Sequence, residues 1–185
     1  MEYLNDEELV SLLAVAYERD RLLHMALLVS VCHALRVTEM RTLTVDDVDG
    51  AYLSISALKK KETVTRLEPL HTSTNPLFDE SVVAVHAHGL RVKGETLLFG
   101  GSRQSWDRKM KAACELAGIP RAKAHWHSLR HSTAMMVFRE TVSLGAVKQA
   151  LRHASWSSSL VYLNESDSQK AFAAVGDALT AMAAQ

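Results

Sequence analysis

Arg36, His127, Arg130, His153 and Tyr162 are the residues of this chain whose types and spacing could do chemistry. Arg36 closes Ala34-Leu35-Arg36 and has Glu39 three positions on. His127 and Arg130 bracket Ser128-Leu129. His153 follows Leu151-Arg152, and Tyr162 comes nine positions after it. Such a set suits transfer of a phosphoryl group. Cleaving a phosphodiester without a metal takes a nucleophile, cationic donors for the phosphoryl oxygens, an acceptor for the nucleophile's proton and an acid for the leaving alkoxide. Arginine meets the second need, because its planar fork binds two oxygens and stays protonated. Two arginines can match the charge building on both non-bridging oxygens. A tyrosine phenol titrates near about 10 in water, so it needs that cationic surrounding to react as a phenolate.

Each residue also has a plainer role open to it. Arg36 and Glu39 could form a surface ion pair at a helix end. His127 could cap a helix or fill a core. Lys59, Lys60 and Lys61 could be a solvated turn. His153 suits the negative end of a helix dipole, and Tyr162 could be a half-buried aromatic with a wet hydroxyl. Their order and spacing together, however, resemble those of the tyrosine recombinases, the lambda-integrase or phage integrase family. The resemblance runs over nearly the whole chain.

The roles that follow are what this resemblance implies. In that family an arginine follows a small–hydrophobic pair and precedes an acid three positions on, so Arg36 is expected to be the first phosphate-binding arginine. The family places a lysine on a β hairpin, five positions before an arginine that leads into a strand ending Pro-Leu. Arg66 leads here to Pro69-Leu70, which counts back to Lys61 as the general acid, with Lys59 and Lys60 close enough to hold the role instead. The His-x-x-Arg motif falls on His127 and Arg130, followed by His131. Arg130 would be the second phosphate arginine and His127 a hydrogen-bonding or proton-accepting partner. A Leu-Gly-His step and the nucleophile nine residues later fall on Leu151-Arg152-His153 and Tyr162. Two positions depart from the pattern. Arg152 stands where the family has glycine, and if that position needs a positive φ, arginine costs about 1–2 kcal/mol there. Trp126 stands where the family often has proline.

The activity implied is that of a site-specific DNA recombinase or integrase, cutting and rejoining strands through a 3′-phosphotyrosyl intermediate without metal or ATP. A type IB topoisomerase would share the chemistry, and a DNA-binding accessory protein without catalysis is the alternative of another class. The partner would be double-stranded DNA, with self-association on it, as a tetramer in the synaptic complex. Residues 1–185 would form the catalytic domain, with the helical core-binding domain that usually precedes it absent from this chain.

These groups must be held by a mainly α architecture with a small three-stranded antiparallel sheet (α+β). Asn5 can cap a first helix and Glu8 reach back to it, with Leu9, Leu12, Leu13 and Ala16 on one stripe. A second apolar helix is expected from 21 to 34 and a short one from 38 to 42. Val45-Asp46-Asp47-Val48, Tyr52 to Ile55 and Val64 to Leu67 favour strands, with Asp49-Gly50 as a turn, residues 59–63 as a hairpin tip and Pro69 as the stop. Helices resume over 79–90, 105–116 and 128–138, then around Leu144, Val147 and Leu151. Two more are expected at 158–163 and 168–182.

Net charge is zero, but it is unevenly spread. Residues 1–58 hold 4 basic and 10 acidic side chains, net −6, and residues 91–153 hold 12 and 4, net +8. A polyanion responds to the local patch. Cys32 and Cys114 sit inside apolar helical patterns and read as buried thiols rather than a disulfide. Nine histidines raise the question of a metal, yet none shows a His-Glu-x-x-His spacing or a cysteine partner, so no metal or cofactor is expected. No leader and no long uncharged apolar run is present, which points to a cytoplasmic location with no membrane contact; the resemblance implies association with the nucleoid.

Overall fold

The computed structural model describes residues 2–59 and 62–153. The chain divides into two compact units, Met1–Ala134 and Met135–Gln185. The architecture is mostly helical with one three-stranded antiparallel sheet. In the first unit, α1 (Asp6–Arg19) starts on a reciprocal cap: the Glu8 amide donates to Asn5 Oδ1 at 2.8 Å, and the Asn5 amide donates to Glu8 Oε2 at 2.9 Å. Its stripe of Leu9, Leu12, Leu13 and Ala16 is buried and packs on α2 (Arg21–Cys32). Asp20 caps α2 by accepting from the Leu23 amide at 3.0 Å. Fully burying a leucine such as Leu12 or Leu27 contributes about 1.5–3 kcal/mol. This pair of helices is therefore a firm base for α3 (Val37–Thr42).

The sheet differs from expectation at its first strand. Thr44 donates twice to Asp47 Oδ2, from its amide at 2.7 Å and its hydroxyl at 2.8 Å. That local bonding draws Val45–Asp47 into a 3-10 turn and leaves only Val48–Asp49 as β1; short polar side chains compete with sheet pairing in this way. Strands β2 (Tyr52–Lys59) and β3 (Glu62–Pro69) pair from Tyr52↔Pro69 to Lys59↔Glu62. Leu53 and Ile55 point into the core while Tyr52 and Ser56 are exposed, the two-residue alternation of a half-buried strand. The strands thus run to Lys59 and from Glu62, further into the stretch 59–63 than anticipated. Lys61 lies outside the described residues.

The remaining helices are α4 (Ser81–Val92), α5 (Arg103–Leu116), α6 (Trp126–Thr141) and α7 (Leu144–Ala150). The boundary between the units falls within α6, and α7 belongs to the second. No described helix is long and apolar enough to cross a membrane. Cys114 is buried as expected, but Cys32 is exposed. It is the last residue of α2, where the chain leaves the apolar stripe.

Four helices end in one motif, a left-handed residue followed by an amide that bonds back across the last turn. After α4 and α5 the left-handed residue is Gly94 and Gly118, at φ +73 and +70. After α2 and α7 it is Ala34 and Arg152, at φ +47 and +53. The closing bonds are Leu35 N to Ser30 O at 2.9 Å and His153 N to Lys148 O at 3.0 Å. Both non-glycine cases thus lead directly into residues of the predicted site. A Cβ in this conformation costs about 1–2 kcal/mol, offset at the buried Ala34 by a methyl group's packing, about 0.8 kcal/mol. Ala34→Gly should hold or raise stability by up to about 1 kcal/mol. Ala34→Val, β-branched at positive φ, should destabilise clearly in a denaturant titration. Equal midpoints for the two variants would contradict the left-handed assignment.

Candidate active site

Two arginines are built into the first unit from opposite directions. Arg36 precedes α3 as its N-cap residue, with half its side chain exposed. Glu39 holds it twice: Oε2 accepts from the Arg36 amide at 2.8 Å and Oε1 from Nη1 at 2.9 Å. Arg130 projects from α6 and is 1% exposed. Its Nη1 donates to the carbonyl oxygen of Ala34 and stands 4.0 Å from Glu39 Oε2. The left-handed turn at Ala34 aims that carbonyl at Arg130, two residues before Arg36. One carboxylate and one carbonyl therefore bind both guanidinium groups into a single assembly. The surface ion pair that Arg36 and Glu39 could have formed alone is here part of it. Further bonds seat α6: Thr133 Oγ1 donates to Val31 O at 2.7 Å, and the Leu4 amide to Ser132 Oγ at 2.9 Å.

Arg36 and His127 line one cleft of about 550 Å³, together with Arg103, Asp107, Lys111, His125 and Trp126. Arg103, Asp107 and Lys111 repeat every fourth residue and so share a face of α5. Arg103 Nε is 3.8 Å from Asp107 Oδ2. The four-residue spacing of this charged row is visible in the sequence, but no motif marks it. Trp126 opens α6, at the position that suits proline in the first turn of a helix. It is buried, and its ring meets Trp106 edge-on at 6.0 Å. The Ser128 amide donates to His125 Nδ1 at 3.2 Å, so His125 caps α6 and sets the angle at which His127 leaves it.

Screening from water by the cleft walls, then the charges of Arg130, His125 and Arg36, hold the His127 pKa below the ordinary histidine value. His131 lies edge-on to His127 at 4.3 Å. Burial, then His127, His125 and Arg130, lower it to about 4. Both imidazoles are thus neutral near pH 7, and a neutral His127 beside two arginines can accept a proton.

Behind Arg36, His33 closes a buried ionic cluster. Its Nδ1 lies 2.8 Å from Glu68 Oε2 on β3, and its Nε2 lies 3.3 Å from Glu80 Oε1. Burial alone would lower its pKa, but the hydrogen bonds and charges of Glu68 and Glu80 outweigh it and raise the value to about 9. His33 and His131 then act on stability with opposite signs. The His33 contribution is complete below the unfolded value of about 6.5 and disappears as pH rises through about 9. That of His131 is complete above about 6.5 and disappears as pH falls through about 4. Melting temperature should therefore peak near about pH 6.5 and fall on both sides, and His33→Gln should flatten the alkaline side alone. A wild-type alkaline side as flat as the variant's would contradict the ionic cluster.

His153 belongs to the second unit, where its amide closes the turn after α7. Arg152 does take the positive φ that the glycine of the pattern would serve, and its side chain is buried. Tyr162, like Lys61, lies outside the described residues, as do the helices expected at 158–163 and 168–182. The structure therefore brings together Arg36, His127 and Arg130 from the predicted set.

The model of the phage integrase family matches residues 2–169. A tyrosine recombinase of Thermosipho africanus (strain TCF52B) is 24% identical over 176 residues, 91% of this chain and 59% of that protein. The XerH site-specific recombinase, in a pre-cleavage complex with its difH substrate, superposes with a TM-score of 0.71 at 20% identity, over 95% of this chain and 54% of that one. The catalytic domain of bacteriophage HP1 integrase gives 0.61 at 20% identity, over 89% of this chain and 88% of that one. The chain thus spans 59% and 54% of the two longer recombinases.

Proposed function

The chain belongs to the phage integrase family, and from that premise we propose that it cuts and rejoins DNA at specific sites through a tyrosine nucleophile. A phosphodiester enters the cleft, and Arg36 and Arg130 donate to its non-bridging oxygens. The Tyr162 hydroxyl oxygen attacks phosphorus while its proton passes to neutral His127. The bond from phosphorus to the 5′ oxygen breaks, and Lys61 delivers a proton to that oxygen. The product is a 3′-phosphotyrosyl link and a free 5′ hydroxyl. His153 donates to the phosphoryl group, and attack by a 5′ hydroxyl of a partner strand reverses the steps. The ester energy stays in the covalent link, so no ATP is consumed. Each chain carries one Tyr162, and exchange between two duplexes cuts four strands, so four copies assemble on paired sites. Arg103 and Lys111 hold neighbouring phosphates of the same strand.

The observation that carries this reading is the assembly of Arg36, Arg130 and Glu39 beside a cleft that also holds His127. Two fixed forks and a neutral imidazole in one place match the charge and proton demands of phosphoryl transfer. The test is incubation with a pool of nicked duplexes of randomised sequence, in EDTA and without nucleotide. The nick lets the short 5′-hydroxyl fragment diffuse away, which traps the intermediate. A protein–DNA adduct that survives denaturation is expected. Adduct that forms only after Mg²⁺ is added would contradict the mechanism.

A further inference from the structure

The His33 cluster lies outside the groups that handle the phosphate, yet it ties the end of α2 to β3 and to the start of α4. His33 is 4% exposed and caps the C-terminal end of α2, three residues before Arg36. Glu68 lies on β3 opposite Leu53 of β2, at the base of the hairpin. Glu80 is fully buried at the start of α4. Its Oε2 accepts from the His71 amide at 2.8 Å, and its own amide donates to the His71 carbonyl at 2.8 Å. Both imidazole nitrogens thus face carboxylates fixed on separate segments.

We propose that His33, Glu68 and Glu80 form a positioning clamp that holds the β2–β3 hairpin at a set angle to residues 33–36, and through it the general acid proposed for Lys61. The inference rests on the reading of the site given above. The reason is leverage. From Glu68 to Glu62, at the far end of β3, the strand runs about 20 Å. A tilt of about 5° at the base would carry the far end roughly 1.7 Å over that length. Misplacement of about 1 Å in a reacting group can slow a reaction by about 10²-fold. The arginines do not share this sensitivity, because Glu39 and the Ala34 carbonyl hold them locally.

The test compares two nicked substrates, ordinary DNA and DNA whose scissile 5′ bridging oxygen is sulfur. A thiolate leaves without a proton, so the second substrate needs the arginines but not the general acid. Glu68→Gln keeps an acceptor for His33 and removes the charge. It should slow adduct formation on ordinary DNA roughly tenfold or more, and on the sulfur substrate less than about twofold. His33→Gln should show the same split. Should one variant fail to fold by thermal melting, the other decides. Equal slowing on both substrates, or none on either, would overturn the clamp while leaving the recombinase reading intact. A wild-type protein that forms adduct with neither substrate would end the parent reading and the clamp with it.

Discussion

Arg130→Ala should lower the rate of adduct formation by about 10³-fold or more while DNA binding persists. A charge-assisted hydrogen bond contributes about 1.5–3 kcal/mol. A guanidinium donating twice to a transition state therefore accounts for about 3–6 kcal/mol, or about 10²- to 10⁴-fold in rate. Arg130 is also buried against the Ala34 carbonyl and near Glu39, so its removal takes a charged donor from that carbonyl and should lower stability by about 1–3 kcal/mol. Arg130→Lys separates the two effects. It keeps a charge near Glu39 but loses the fork, so it should melt closer to wild type and still cleave poorly. A lysine variant with wild-type cleavage would show that the guanidinium does not meet the phosphate.

Tyr162→Phe should abolish the adduct altogether, with no loss of fold and no change in DNA affinity. The substitution removes one oxygen, and without it no covalent bond to phosphorus forms from that position. Phosphate contacts from Arg36, Arg103 and Lys111 would remain, and they set most of the affinity. Adduct of undiminished yield in this variant would place the nucleophile elsewhere. Tyr3, Tyr17 and Tyr52 are the other tyrosines. Tyr52 is exposed on β2, and Tyr17 faces the Arg21 guanidinium at 3.3 Å.

What could be read from the sequence were features with a local cause. The cap at Asn5, the turn at Gly50 and the stop at Pro69 depend on neighbouring residues, and all three stand where expected. The apolar stripe of α1 was likewise visible from its period. Val45 was misread as strand because its hydrophobic type outweighed the bonding of Thr44 to Asp47. Arg36, His127 and Arg130 were singled out through the resemblance of their motifs, but the burial of Arg130 on the Ala34 carbonyl spans 96 positions of sequence and has no local signature. The same holds for His33, whose partners lie 35 and 47 positions away. Glu39 was visible only as a companion of Arg36. Its second task, beside Arg130, required the fold.

In the proposed reaction Tyr162 becomes bonded to the 3′ phosphate of cut DNA. Peptide mapping of the trapped adduct tests it most directly. After denaturation, nuclease trimming and proteolysis, mass spectrometry should find a 3′-nucleotide attached to the peptide that contains Tyr162, with the bond on the phenolic oxygen. Attachment to Tyr3, Tyr17, Tyr52 or any serine, or recovery of cut DNA with no attached peptide, would contradict it.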